Sequence, residues 1–318
     1  MPKIINPLSN ENLLLTIAIP TYKRPELLRS SLNSVVNQSY NGNYEIIILD
    51  NCIDINISRE VDNIINSFSK YKKIHLYRNN SNIGMFPNWN KCLKKAKGKY
   101  ISILNDDDLL DYEFVENVIR DIRDQKMLIY DYQILSEKKH ENKIGGSFRD
   151  FLEKFNFVKK YEIKLSNIIY KNPSNGSLGV VFDRKNAILL GGYDKKNYPS
   201  SDYFFNYKYI QRFGGIHIKK KLAKYRLLVN ESLKKESLIN FVNLDYQLRE
   251  EISLKYFYKN KSLYYLASRL NSLQACSQIA RYIILRNCVE SDFINLDIGV
   301  SKKIQTLIVN LILVSRYF

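Results

Sequence analysis

Ile101-Ser102-Ile103-Leu104-Asn105-Asp106-Asp107-Asp108 is an apolar run that ends abruptly in three carboxylates. The apolar part has strand length and carries the β-branched Ile101 and Ile103, so it reads as a buried strand. The carboxylates then stand at its carboxyl end, the edge at which open α/β sheets bind ligands. Three adjacent carboxylates repel one another, which disfavours leaving them without a counter-charge. A hard divalent cation, shared between one or two carboxylates and substrate phosphates, answers that need. A solvated acidic turn capping a helix from about Asp111 is the other reading, and the flanking chain has to choose.

Upstream, Leu13 to Ile19 reads as a buried strand ended by Pro20. A loop follows through Thr21, Tyr22, Lys23 and Arg24, and Pro25 opens a helix at its favoured first-turn position. Leu27, Leu28, Leu32, Val35 and Val36 give that helix an apolar stripe. Tyr44 to Leu49 is a second strand ending in Asp50, Ile57 to Phe68 a helix, and Lys73 to Tyr77 a third strand. Met85 to Ala96 is helical, and Gly98 breaks it before the acidic strand. Downstream come a helix from Asp111 to about Arg123 and a strand from Met127 to Ile134.

This alternation predicts an α/β fold, a mostly parallel Rossmann-like sheet flanked by helices on both faces. The Thr21–Arg24 loop, Asp50 and Asp106–Asp108 all fall at carboxyl ends of strands and are expected to converge on one sheet edge. No GxGxxG or GxxxxGK[ST] follows the first strand, which argues against a dinucleotide-binding or P-loop protein.

Beyond Ser136 the pattern weakens. Glu137 to Asn142 reads as an exposed charged loop, Phe148 to Phe157 as a short aromatic helix, and Lys171 to Gly179 as a loop. Leu178 to Phe182 is a strand. Asp183 caps a helix that stops at Gly191-Gly192, and Ser201 to Phe213 is a helix stopped by Gly214-Gly215. Ile216–Ile218 and Leu222–Tyr225 read as two short strands. From Ser232 onward the chain is mostly helical, with Leu, Ile and Tyr stripes between Lys and Arg. The expected division is a nucleotide-binding and catalytic domain over residues 1–230 and a basic, aromatic-rich helical extension over 231–318.

The 318 residues carry a net charge of +17. Residues 203–318 hold 19 Lys and Arg against 8 Asp and Glu, so much of the excess lies in the last third. Such an excess suits phosphorylated substrates, anionic lipid headgroups or nucleic acid. No nucleic-acid-binding motif accompanies it, which points away from that partner. Cys52, Cys92, Cys276 and Cys288 lack metal-site spacing and read as reduced residues of a cytoplasmic protein. Met1 to Glu11 has no signal-peptide core, and Ile304 to Val314 is too short and interrupted to span a bilayer.

The order of motifs resembles an inverting family 2 glycosyltransferase of the GT-A fold, over about Leu13 to Arg226. Five ordered pieces carry the resemblance. They are Ile19-Pro20-Thr21-Tyr22-Lys23-Arg24; Asp50; Asn82-Ile83-Gly84 leading into Asn88-Trp89-Asn90; Gly98-Lys99-Tyr100-Ile101 running into Asn105-Asp106-Asp107-Asp108; and Gly191-Gly192-Tyr193-Asp194 followed by Ser201-Asp202-Tyr203.

The resemblance implies a UDP-sugar donor and Mn2+ or Mg2+ as cofactor. Asp107 would be the principal metal ligand, Asp108 its support, and Asp106 the contact to ribose or phosphate. Asn105 stands where many relatives carry the first acid and would hydrogen-bond ribose. Pro20, Thr21, Tyr22 and Arg24 match the loop that contacts base and phosphate, Asp50 the residue that reads the uracil edge, and Asn82 and Gly84 the loop that closes around the nucleoside. Lys224-Tyr225-Arg226 matches a basic segment that approaches the diphosphate. Asp202 matches the catalytic base, and single displacement would turn an α-linked donor into a β-glycoside; read alone, it is an acid at a helix N-terminus.

The acceptor implied is a saccharide hydroxyl, on a lipid-diphosphate-linked chain of a surface polysaccharide such as O-antigen or capsule. Three readings of the C-terminal helices stay open: peripheral contact with the cytoplasmic face of the inner membrane, a homodimer interface, or packing on the core. Trp89 is either a ligand-stacking or a core aromatic, and His75 and His217 read as structural. A nucleotidyltransferase or a non-catalytic nucleotide-sugar-binding protein could use the same scaffold.

Overall fold

A computed structural model describes residues 13–68, 74–122, 124–135, 160–226, 234–286, 288–293 and 295–314. The expected charged loop at 137–142 and aromatic helix at 148–157 lie outside the described residues. The chain divides into two compact units. The first comprises residues 1–163, 173–194 and 208–227. The second comprises 164–172, 195–207 and 228–318, so two short segments from the middle of the chain belong with the C-terminal helices.

In the first unit the elements run β1 (Leu15–Thr21), α1 (Pro25–Val36), β2 (Glu45–Asp50), α2 (Ile55–Phe68), β3 (Ile74–Arg78), α3 (Met85–Lys95) and β4 (Tyr100–Ile103). Then come β5 (Leu109–Leu110), α4 (Phe114–Asp121), β6 (Met127–Leu135) and β7 (Lys160–Glu162). The sheet order is β3-β2-β1-β4-β8-β6-β9-β5, with β7 also paired to β9, where β8 is Val180–Asp183 and β9 is Gly215–Arg226. The first four strands are mutually parallel, as the alternation predicts. β8 runs antiparallel to both β4 and β6, so the sheet is mixed. Its core includes Ile17, Ile19, Leu28, Leu32, Ile46, Ile48, Phe114 and Val181.

The sequence reading does not foresee the short strands β5 and β7, and α4 begins at Phe114 rather than at Asp111; two further departures have a cause in the strand pairing. Pro20 does not end β1 but lies inside it, opposite Leu49 of β2. The Leu104 N–H donates to Ala18 O at 2.9 Å, so the even-numbered residues of β1 turn towards β4. β4 pairs with β1 only as far as Ala18, so the missing N–H of Pro20 faces an edge with no ladder. The second departure is β9, one strand rather than two: its register against β6 shifts between Tyr130 and Tyr132, and the pairing continues past the irregularity.

After β7 the chain forms α5 (Leu165–Tyr170), then β8, α6 (Arg184–Leu189) and α7 (Ser201–Phe213), followed by β9. Asp183 caps α6, accepting from the Asn186 N–H at 3.0 Å, as the sequence predicts. The second unit is completed by the long helices α8 (Lys235–Phe257), α9 (Lys261–Arg286) and α10 (Lys302–Val314). Leu238, Val242, Ala275, Cys276, Ile279, Ala280, Phe293 and Val309 form its core. All four cysteines are buried and unbridged. Among the described residues no helix is long and apolar enough to cross a membrane.

Candidate functional site

β4 stops at Ile103 while β1 runs on to Thr21, and the chain folds back across the gap. The Asp108 N–H donates to Asn105 O at 3.2 Å, closing a four-residue turn with Asp106 and Asp107 at its centre. The turn is fastened from below by Ser31 of α1. Its buried hydroxyl lies 3.0 Å from Asp106 O and 3.3 Å from Asn105 O, and also meets Asp108 O. The apolar stripe of α1 is interrupted by this serine, whose single hydroxyl proton is shared among carbonyls of the turn that β4 no longer pairs.

The β1–α1 loop reaches the same place. Lys23 adopts a left-handed φ of 56°, which turns the chain sharply after β1. Thr21 Oγ1 donates to Asp106 Oδ2 at 2.8 Å, and the Tyr22 N–H donates to the same oxygen at 3.3 Å. Arg24 Nη1 lies 2.9 Å from Asp107 Oδ2 and 3.6 Å from Asp106 Oδ1. From β9, the Arg226 N–H donates to Asp108 Oδ1 at 3.0 Å and Arg226 Nε to Asp107 O at 3.2 Å. Thr21, Tyr22, Arg24, Asn105, Asp106, Asp107 and Asp108 are therefore one cluster at the carboxyl edge of the parallel strands, joined by Arg226.

Burial pushes the Asp106 carboxyl up to about 6, the Asp107 charge adds to the shift, and Thr21, Arg24 and Tyr22 oppose it. Burial likewise pushes Asp108 up to about 8, with Asp107 adding and the Arg226 amide and Asn105 side chain opposing. Among the described residues no three His, Cys, Asp or Glu side chains form a complete cage. Two hard oxygen donors with a guanidinium between them fit a Mg2+- or Mn2+-type ion that takes its other ligands from phosphate and water. Asp106 and Asp107 would supply such a pair. Asp108, expected as a metal ligand in support of Asp107, gives one oxygen to the Arg226 amide.

Asp50 sits at the end of β2, in register with Thr21. It is fully buried, accepting from the Cys52 N–H at 2.9 Å and from Arg78 Nε at 3.3 Å. Its carboxylate thus organises the strand end rather than facing solvent. Asn51 and Asn79, which sequence reasoning passed over, lie beside it. Asn79 Nδ2 donates to Asn51 Oδ1 and to Asn88 Oδ1, each at 2.9 Å. Asn51 Nδ2 donates to Asn82 Oδ1 at 2.7 Å, and the Ile83 N–H to Asn51 Oδ1 at 3.0 Å. Asn82 Oδ1 also accepts from the Gly84 N–H at 2.9 Å. This amide chain ties the Asn82–Gly84 loop to the ends of β2 and β3. Gly84 has a φ of 87°, a left-handed position that favours glycine, immediately before α3.

Trp89 is a core aromatic, packed edge-on against Phe86 at 5.3 Å and Tyr193 at 5.0 Å. His217 is paired with Asp131 at 2.7 Å and stacked on Tyr161 at 5.1 Å, a structural setting. Asp202, in the first turn of α7, belongs to the second unit. It is buried, and its Oδ2 accepts from Asn172 Nδ2 at 2.6 Å; Asn172 Oδ1 in turn accepts from Asn206 Nδ2 at 3.0 Å. Burial pushes Asp202 up to about 6, with the Asn172 hydrogen bond opposing and the Asp245 charge adding.

Residues 16–220 match the family profile described as Glycosyl transferase family 2. An uncharacterized glycosyltransferase of Methanocaldococcus jannaschii is 27% identical over 245 residues, 73% of this chain and 78% of that protein. Among solved structures, S. aureus TarS 1-349 in complex with UDP superposes with a TM-score of 0.59 at 14% identity, over 96% of this chain and 89% of that one. A mannosyltransferase of Pyrobaculum calidifontis, in complex with GDP-Man and Mn2+, superposes with a TM-score of 0.57 at 15% identity, over 86% of this chain and 76% of that one. At such identities the structural likeness speaks to the fold.

Proposed function

The chain belongs to glycosyl transferase family 2, and from that premise we propose that it is an inverting, divalent-cation-assisted transferase that moves a sugar from a UDP-sugar to a hydroxyl of a saccharide acceptor. The observation that carries this reading is the approach of Arg24 to Asp106 and Asp107 at the carboxyl edge of the parallel strands.

A bound Mn2+ or Mg2+ neutralises charge on the leaving diphosphate. Asp107 would hold it, with Asp106 beside it and Asp108 keeping the turn in place. Arg24 has a choice of partners, carboxylate or phosphate, and bidentate phosphate recognition is what a guanidinium does well. Thr21 and Tyr22 set the depth of the nucleotide, the loop of Asn82 and Gly84 flanks the nucleoside, and Asn105 serves the ribose. Asp50, oriented by Arg78 and the Cys52 amide, would read the uracil edge. Asp202 takes the proton from the acceptor hydroxyl; a carboxyl raised to about 6 is a stronger base than an ordinary one and is still ionised at neutral pH.

The acceptor class proposed is a lipid-diphosphate-linked saccharide of a surface polysaccharide, met at the cytoplasmic face of a membrane. The basic excess of residues 203–318 supports an anionic acceptor environment. The test is a hydrolysis and transfer screen of UDP-, GDP- and dTDP-sugars with Mn2+ present. Release of UDP supports the reading. Release of inorganic diphosphate from UTP and a sugar 1-phosphate, run in parallel, would show a nucleotidyltransferase instead, and turnover restricted to GDP-sugars would overturn the donor.

A further inference from the structure

α9 is apolar on two opposite sides. Ala275, Cys276, Ile279 and Ala280 are buried in the core of the second unit. Leu263, Leu266, Leu270 and Leu273 recur three and four residues apart and are all exposed, between 46% and 55%. An amphipathic surface helix puts charged residues on its outer face, so a leucine stripe there calls for a partner. Where α8 ends and α9 begins, Tyr256, Tyr258 and Tyr265 are also exposed. Cations sit among them: Arg269 lies 4.8 Å from the Tyr265 ring and Lys259 5.4 Å from the Tyr258 ring.

The charge pattern selects the partner. Residues 252–289 contain six Lys and Arg and no Asp or Glu. In a two-fold contact between copies, this face would set its cations against its own cations, and Glu250, packed on α9, is already held by Tyr264 and Asn271. A polyphosphate backbone would satisfy the cations but leave the leucines wet. An anionic bilayer surface satisfies both: leucines enter the acyl boundary, tyrosines sit at headgroup level, and cations meet lipid phosphates. We propose that the end of α8 and the outer face of α9 seat this protein on an anionic lipid surface.

The proposal extends the membrane-side acceptor suggested above but does not depend on the donor. The experiment is flotation of the full chain with vesicles of phosphatidylcholine alone and of phosphatidylcholine mixed with phosphatidylglycerol. Flotation with the mixed vesicles only, weakened by salt, is expected. Replacing Lys259 or Arg269 by Gln should weaken partition about fivefold each. The double substitution Leu266→Glu, Leu270→Glu should abolish flotation while leaving the melting temperature and donor hydrolysis in solution unchanged, since both side chains are exposed. Failure of the natural chain to float, or flotation that the double substitution does not alter, overturns the proposal. So does a natural chain that sediments as a dimer and is made monomeric by that substitution without binding vesicles.

Discussion

Arg24 Nη1 stands 2.9 Å from Asp107 Oδ2, a cation already seated on the carboxylate that the family resemblance assigns to a metal. The pair spans 83 residues of sequence and joins the end of β1 to the turn after β4. Arg24 is partly exposed while Asp107 is buried. The consequence of the pairing is electrostatic: the same guanidinium neutralises the turn before nucleotide arrives and is available to phosphate afterwards.

Removing the Asp107 charge should therefore separate binding of the cation from folding. Asp107→Asn is expected to keep the melting temperature of the apo chain close to that of the natural one. It should abolish the Mn2+-dependent thermal shift by UDP and lower transfer by roughly 10²–10³-fold or more, the size seen when one preorganised electrostatic contact to a transition state is lost. Metal-independent transfer by the natural chain would sink the role of the acidic turn.

The acid limb of the pH–rate profile should report Asp202. A base must be deprotonated to work, so activity should rise with pH through about 6 and level off above it. The Asn172 hydrogen bond favours the carboxylate and the Asp245 charge disfavours it. Asn172→Ala should move the limb to higher pH, and Asp245→Asn should move it to lower pH. A merely structural role for these residues would lower the rate without moving the limb, and Asp202→Asn should bind UDP yet not transfer. Full transfer by Asp202→Asn would remove that residue as base.

How much of this was legible follows from the range of the forces involved. β1 to β4 could be read because buried parallel strands are short apolar runs bounded by turn residues, and Pro25 and Asp183 marked helix starts by their own backbone chemistry. Pro20 misled because its tolerance depends on where β4 stops, a fact of pairing and not of the local chain. β5 has two residues and no pattern to show, and β9 read as two strands because an irregularity interrupts its alternation. At the site, acidic and basic residues at strand ends could be named in advance. That Ser31 lies against three carbonyls, or that Asn51, Asn79, Asn82 and Asn88 form one amide chain, could not, since asparagine and serine look alike in a loop, a cap or a buried network. Asp50 was assigned to the uracil edge by resemblance; its burial and its bond to Arg78 could not be named in advance, because they depend on the neighbouring strand.

Gly98 offers a stability test with an internal control. A Cβ added there would meet Thr16 N at 2.7 Å and Leu15 C at 2.8 Å, both backbone atoms of the central strand. These cannot move aside as a side-chain tip can. Gly98→Ala should lower the urea midpoint by an amount equivalent to about 1–3 kcal/mol. At Gly191 a Cβ would meet nothing within 4 Å, and only its φ of 86° resists substitution. Gly191→Ala should cost about 1 kcal/mol. Equal effects at the two positions would refute the crowding argument.

Ser31→Ala tests whether the acidic turn is preorganised. The hydroxyl is buried and lies against the carbonyls of Asn105, Asp106 and Asp108, so its loss takes a donor from the turn carbonyls of the buried Asp106 and Asp108. That costs about 1–3 kcal/mol of stability, read as a lowered urea midpoint with unchanged slope. The functional consequence differs from that of Asp107→Asn, because every charge is still present. A turn freed from its fastening can still bind the cation, but must pay in conformational entropy to do so. The expected result is a higher Mn2+ concentration for half-maximal activity, with much of the maximal rate retained at saturating Mn2+. A loss of maximal rate as deep as that of Asp107→Asn would mean that Ser31 does more than hold the turn.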